Sequence, residues 1–135
     1  MSSPTPVDPP QMPSNPAFAQ GMIAEAGARM LYIGGQNGVD GAGELAEGLE
    51  AQTSQALRNV LAVLSEAGSG PEQVVSMTIH LAVGVDPNEA YAASASVWGR
   101  RRTAVTVLSV TPARPGALVE ITAIAVVPNP VLPDS

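Results

Sequence analysis

The stretch LRNVLAVLSEAGSGPEQVVSMTIHLAV (57–83) changes its hydrophobic period halfway along. Apolar side chains in its first half share one helical face, namely Leu57, Val60, Leu61 and Leu64. Two glycines and Pro71 follow, and these residues end helices. The second half alternates apolar and polar residues, which is the period of a strand. The stretch therefore predicts a helix over Glu47–Ala67 and then a strand over residues 72–83.

The flanking sequence predicts a second helix and four more strands. The helix begins with Asp86 as N-cap and Pro87 at its first position, and it ends at Gly99. Its apolar side is predicted to hold Tyr91, Ala95 and Trp98. The other predicted strands are Gln20–Glu25, Arg29–Gly34, Thr103–Val110 and Ala117–Val127. The order ββαβαββ predicts an α+β domain, a mixed sheet with both helices on one face.

Proline marks both ends of the chain. Residues 1–16 contain six of the thirteen prolines, which predicts an extended or disordered arm. Residues 17–128 are predicted to form a single domain, and residues 129–135 a proline-rich tail.

Charge and composition exclude several classes of protein. The formal net charge is −6, and six arginines without a lysine are too few for a nucleic-acid-binding stripe. The chain has no cysteine and one histidine, so no metal site is expected. The N-terminus lacks the pattern of a signal peptide, and no apolar run is long enough to span a membrane. A soluble cytoplasmic protein is the simplest expectation.

Two helices can cover only one face of the predicted sheet. The strands carry Val, Ile, Leu and Met on both sides, so the second face is predicted to be buried against other subunits. Self-association follows from this pattern.

Glu120 is the most informative charged residue, because it interrupts the apolar strand GALVEITAIAVV (116–127). A glutamate there is costly unless it is paired or hydrated. Two interpretations stay open: a salt bridge to an arginine, or a cleft in which the arginine binds an anion and the glutamate a water. If the last two strands form a hairpin around residues 109–116, Glu120 lies opposite positions 105–108, a few residues from Arg102.

Two other features have simpler interpretations. His80 lies mid-strand without an evident partner, which favours a partly buried histidine with its hydrogen bonds satisfied. IGGQNG (33–38) is not a phosphate-binding motif, because a strand precedes it and a loop follows. It predicts a tight backbone turn, either structural or close to a ligand.

Several ordered motifs together resemble the RidA (YjgF) family of reactive-intermediate deaminases. They are FAQG, YIGGQNG, QTSQALRNVLAVLSEAG, EQVVSMTIHLA, NEAY, RRTAVTV and GALVEITAIAV, which together span about residues 16–127. The resemblance implies a chorismate-mutase-like fold, a homotrimer and clefts between subunits. It also implies hydrolysis of amino-acid-derived enamines and imines, such as 2-aminoacrylate, to 2-keto acids and ammonia, without a cofactor.

The resemblance also implies roles for particular residues. Arg102 matches the family arginine, which would hold the substrate carboxylate, and Glu120 matches the family glutamate, which would position water. Asn88 matches the asparagine of the motif that Tyr91 completes, and the resemblance implies that Asn88 and Phe18 contact the substrate. Polar backbone contacts to the imino or keto acid are expected at Gly34, Gly35, Gln36 and Ala104.

Departures from the family pattern indicate a divergent subgroup. Phe18 stands where the family has a tyrosine, and Gly34 where it has a serine, so two pocket hydroxyls are missing. Arg100 and Arg101 replace a proline and an alanine and are expected at the rim. Retention of Arg102 and Glu120 favours a deaminase, whereas the lost hydroxyls favour the alternative, a non-catalytic trimeric module that binds a small carboxylate. Direct RNA binding is the least favoured function, because the chain is acidic.

Overall fold

The computed structural model describes residues 3–129. Within them the strands are β1 (Thr5–Val7), β2 (Gly21–Ile23), β3 (Arg29–Asn37), β4 (Val74–Ala82), β5 (Ala104–Val110) and β6 (Val119–Val127). The helices are α1 (Leu49–Glu66) and α2 (Pro87–Trp98), and a short 3-10 turn, Pro71–Gln73, leads into β4. The predicted α+β class, with two helices on a mixed sheet, is confirmed.

The main sheet has the strand order β3-β6-β4-β5. β6 pairs antiparallel with both β3 and β4, whereas β5 pairs with β4 in parallel. The predicted hairpin between the last two strands is therefore wrong. The chain passes from β4 through α2 to β5, a crossover that places parallel strands side by side. β6 then enters the centre of the sheet, where it buries more of its side chains than β5 does at the edge.

The core lies between α1 and one face of the sheet. Leu57, Val60 and Leu64 are almost completely buried, as the helical stripe predicts. Val119, Ile121 and Ala123 meet them from β6, and the intervening Glu120 and Thr122 face the other way. Gly68 follows α1 with a φ of 78°, a conformation that glycine adopts without strain, and this ends the helix as predicted.

Helix α2 packs beside α1. The Asp86 side chain accepts a hydrogen bond from the backbone N–H of Asn88 at 2.9 Å, which confirms the predicted N-cap. Trp98 is buried, but Tyr91 and Ala95 are exposed, so the predicted apolar side is wrong at those two positions. Ala90 is buried instead, because the inward side of the helix is rotated towards it.

The N-terminal segment forms a small separate sheet. β1 pairs antiparallel with β2, with Pro6 opposite Met22, although proline cannot donate a ladder hydrogen bond. The division into an arm over 1–16, a domain over 17–128 and a tail over 129–135 stays a prediction, and residues 130–135 of that tail lie outside the described residues.

The sheet face opposite the helices is more polar than the sequence pattern predicts. β4 presents Ser76, Thr78 and His80 on this open face, because their neighbours Met77 and Leu81 point into the core. Large apolar side chains lie towards both edges, with Tyr32 73% exposed on β3 and Leu108 44% exposed on β5. Burial of this face against other subunits stays a prediction.

Candidate active site

Glu120 lies on the open face of the central strand β6, half-buried between β3 and β4. It is level with Asn37 on one side and with His80 on the other. The Asn37 side-chain amide donates to Glu120 Oε1 at 3.4 Å and to the Val119 carbonyl at 3.2 Å. Asn37 of β3 therefore holds one oxygen of this carboxylate, and pairing with β3 and β4 fixes the backbone at Glu120.

An irregularity in β3 makes room for the carboxylate. The register between β3 and β6 shifts between Ile33 and Gln36, so Gly34 and Gly35 lie outside the regular ladder. A Cβ at Gly35 would overlap Glu120 Oε2, whereas a Cβ at Gly34 would meet no atom within 4 Å. The predicted turn at this position is thus a bulge, and Gly35 is the residue whose missing side chain the glutamate requires.

His80 faces the same strand but contacts the backbone of Glu120. Its Nδ1 lies 3.0 Å from the Glu120 carbonyl oxygen. A carbonyl only accepts hydrogen bonds, so Nδ1 carries the proton and, in the neutral ring, Nε2 is left as an acceptor. The prediction of a partly buried, hydrogen-bonded His80 is confirmed. Its Nε2 is a second proton-accepting atom beside β6.

Arg102 lies just before β5 and binds a carboxylate of its own chain. Its guanidinium forms a salt bridge with Asp8, and its Nη2 is also 3.5 Å from the Phe18 carbonyl. Asp8 accepts a second hydrogen bond from the backbone N–H of Gln20 at 3.1 Å. These contacts, that of Gln20 first and that of Arg102 second, hold the pKa of Asp8 below its ordinary value of 3.8.

The structure does not bring Arg102 and Glu120 of one chain together. Thr103 Oγ1 donates to the Val74 carbonyl at 2.8 Å, and Val74 precedes His80 by six residues along β4. Since His80 is level with Glu120, the two charged residues are about 20 Å apart along the strands and about 10 Å apart across them. Side chains stand roughly perpendicular to a sheet, so neither reaches the other.

The remaining predicted residues divide between the two faces. Ala104 begins β5 beside Ala19, whose N–H donates to the Thr103 carbonyl at 2.8 Å. Phe18 and Asn88 line a cavity of about 440 Å³ between α2 and the helix-covered face of the sheet. Gly34, Gly35 and Gln36 lie on β3 with Glu120, and Gln36 donates to the Gly34 carbonyl at 3.1 Å.

Arg101 is the neighbour that turns towards the helix-covered face. Its Nε donates to the Trp98 carbonyl at 2.9 Å, and its guanidinium lies 5.9 Å from the centre of the indole ring. It also lines the cavity that Phe18 and Asn88 line. Adjacent arginines thus serve opposite faces of the sheet, as alternation along an extended chain requires.

Two contributors to the site were missing from the sequence interpretation. Asn37 was assigned only to the loop, yet it is the side chain that donates to Glu120. The sequence signal for this role was its position, four residues after Ile33 of the predicted strand. Asp8 lies in the predicted arm, 94 residues from Arg102, and only the folded chain brings the two together.

Within residues 3–129, no group of three or more His, Asp or Glu side chains converges as metal ligands do. In the same residues, neither helix combines the length and the apolar character needed to cross a bilayer.

Comparison with known proteins identifies the family. The sequence profile described as Endoribonuclease L-PSP matches residues 11–127. A search of curated proteins gives no significant match. Among solved structures, the Rid-family protein YyfB of Yersinia pestis is 32% identical with a TM-score of 0.80, over 93% of this chain and 99% of that one.

Two further structures agree with this comparison. RidA of an Antarctic Psychrobacter is 27% identical with a TM-score of 0.68, over 81% of this chain and 87% of that one. YyfA of Yersinia pestis, also of the Rid family, is 28% identical with a TM-score of 0.63, over 93% and 100%. The fold and the site together define an α+β protein with a glutamate, Glu120, on a central strand of its sheet. The chain belongs to the RidA (YjgF) family, also described as Endoribonuclease L-PSP.

Proposed function

We propose that this protein hydrolyses amino-acid-derived imines and enamines, such as 2-aminoacrylate, to 2-keto acids and ammonia, in clefts between the subunits of a homotrimer. Membership of the RidA family supports the reaction class. The observation that carries the proposal is the separation of Arg102 from Glu120, about 20 Å along one sheet. A site that needs both residues must therefore take Arg102 from one chain and Glu120 from another. A closed ring of three chains contains three copies of such an interface.

The chemistry suits these two residue types. The guanidinium of Arg102 offers parallel donors that bind the substrate carboxylate and fix the planar imine. Glu120 of the neighbouring subunit removes a proton from a water, whose oxygen bonds to the carbon of the protonated imine while the C=N π pair becomes the lone pair of the nitrogen. Glu120 then gives this proton to the amine nitrogen of the carbinolamine. The C–N bond breaks with release of ammonia, and the hydroxyl proton passes to the Glu120 carboxylate as the C=O of the keto acid forms.

Asp8 supports the assignment of Arg102 as a carboxylate clamp. The guanidinium already binds a carboxylate in this chain, at an exposed position where exchange for another carboxylate is possible. The substrate acid therefore competes with Asp8 for Arg102. The N-terminal segment acts as a tethered competitor in this scheme, and substrate binding releases it.

A non-catalytic module that binds a small carboxylate is the second candidate. Phe18 and Gly34 lack the hydroxyls found in the family, so fewer groups can orient the imine. Ribonuclease activity, which the family description names, fits this chain less well. Its net charge of −6 opposes phosphate binding.

The test generates imino acids in situ with an amino-acid oxidase and follows the release of 2-keto acid. The expected result is acceleration by the wild type, which Arg102→Ala reduces about 100-fold at substrate concentrations below KM. Substitution of the adjacent, exposed Arg100 by Ala should leave the acceleration unchanged. No acceleration with any amino acid would overturn the deaminase. Saturable binding of a keto acid without acceleration would favour the binding module instead.

A further inference from the structure

The cavity between α2 and the sheet is a second place where a small molecule could bind. Helix α2 packs beside α1 and leaves about 440 Å³ against the inner sides of β4, β5 and β6. Packed protein interiors contain few voids larger than a water, whereas ligand sites occupy about 300–1,000 Å³. The space is therefore of ligand size, on the face of the sheet opposite Glu120.

The wall of the cavity is mostly apolar. It is formed by side chains such as Ile79, Leu81, Val105, Ile121 and Trp98. Aliphatic groups packed beside an indole ring favour a flat aromatic occupant, because ring stacking and apolar burial then act together.

One hydroxyl in this wall has no partner. Thr53 is 3% exposed and lines the cavity, yet its Oγ1 makes no hydrogen bond within the described part of the chain. Buried polar groups in folded proteins are nearly always satisfied, and an orphan carries a free-energy penalty. A ligand with a hydroxyl placed against Thr53 removes that penalty, which a purely apolar ligand does not.

Arg101 supplies a positive charge at the same cavity. Its Nε donates to the Trp98 carbonyl, and within residues 3–129 its terminal nitrogens have no acceptor, so they are available to a ligand. Charge-assisted hydrogen bonds from a guanidinium select carboxylates.

We propose that the cavity between α2 and the sheet binds a small phenolic carboxylate, with its ring against Trp98, its hydroxyl at Thr53 and its carboxylate at Arg101. The cavity lies on the face of the sheet opposite Glu120, and binding there does not require imine hydrolysis. Phe18 and Asn88 border the cavity, so an occupant there would contact two of the residues assigned to the substrate.

Trp98 makes the proposal directly measurable, since it is the only tryptophan of the chain and lines the cavity. The probes are 3-(4-hydroxyphenyl)propionate, 3-phenylpropionate and 3-(4-hydroxyphenyl)propan-1-ol, titrated with excitation selective for tryptophan. The first is expected to change the emission saturably and to bind tightest. Loss of its hydroxyl should weaken binding roughly fivefold, and loss of its carboxylate roughly tenfold.

Variants assign each contact. Thr53→Val should remove the preference for the hydroxyl, and Arg101→Gln the preference for the carboxylate. Ala90→Phe and Ser94→Leu place bulk in the cavity and should abolish binding, whereas Ala92→Phe makes the same change as Ala90→Phe at an exposed position of α2 and should not.

Glu120→Gln separates this proposal from the deaminase. It should remove imine hydrolysis and leave probe binding unchanged, because Glu120 lies on the other face. The absence of a saturable change in Trp98 emission with all three probes would overturn the proposal. Unaltered binding in both Ala90→Phe and Ser94→Leu would overturn it as well.

Discussion

The two ends of the open sheet face hold their charged residues in different ways. Glu120 lies on a central strand, with Asn37, Gly35 and His80 of adjacent strands around it. Arg102 lies on a connection, exposed at 38% of its side chain, and its partner Asp8 comes from the N-terminal segment. The comparison teaches that backbone pairing fixes Glu120, the proposed acid–base group. Arg102, the proposed carboxylate clamp, depends instead on a side-chain contact that a ligand can replace.

The largest effect is expected from Glu120→Gln. Glutamine keeps an oxygen that can accept from Asn37, but it cannot take a proton from water, so kcat should fall about 1,000-fold. Steady-state kinetics of keto-acid release measure this, with Glu89→Gln, the same change on the exposed side of α2, as control. An unchanged kcat would remove Glu120 from the chemistry.

Arg102→Ala should reduce kcat/KM by about 100-fold, mainly through KM, because charged hydrogen bonds to the substrate are lost. The same kinetics on Arg100→Ala should match the wild type. Equal losses in the two variants would mean that general charge, and not the position of Arg102, attracts the substrate.

Gly35→Ala tests the Glu120 end of the open sheet face alone. Its new Cβ would overlap Glu120 Oε2 and push the flexible end of that side chain aside, so kcat should fall about tenfold while the melting temperature changes little. Gly34→Ala adds the same methyl group where no atom lies within 4 Å and is the matched control. Similar kinetics for both variants would show that the position of the carboxylate is unimportant.

Asp8→Asn should have the smallest effect, a two- to threefold lower KM, because the tethered competitor leaves Arg102. The effect should vanish in the Arg102→Ala background. The pKa of Asp8 is lowered, so its contact with Arg102 is fully present above the ordinary value of 3.8 and is lost as the pH falls through the lowered value. Kinetics at neutral pH are therefore the proper comparison, and a higher KM for Asp8→Asn would contradict the competition.

Local pattern predicted both helices and the strands β2 to β6, but neither β1 nor all of the strand pairing. The stretch 57–83 contains both periods, and α1 and β4 follow from them. Alternation along β6 also places Glu120 and Thr122 on one face, away from the core. The hairpin was wrong because strand order depends on which strand gains most from burial. β6 is apolar enough to occupy the centre, while β5 remains at the edge with exposed side chains.

The site depends still more on long-range packing. The charge cluster at residues 100–102 was visible in the sequence. The sequence did not show that Arg101 faces the cavity and that Arg102 faces the N-terminal segment. The 94 residues between Asp8 and Arg102 contain no local signal for their contact. Side-chain partners of this kind follow from the docking of whole elements, which a single-sequence pattern does not encode.

Mixing the two impaired variants, assayed at substrate concentrations below KM, tests the central claim most directly. If each site takes Arg102 from one subunit and Glu120 from its neighbour, trimers that combine Arg102→Ala and Glu120→Gln chains contain one intact site. Random reassembly of equal amounts should then restore about one quarter of the wild-type activity. No activity in the mixture, with mixed trimers shown to have formed, would contradict sites shared between subunits.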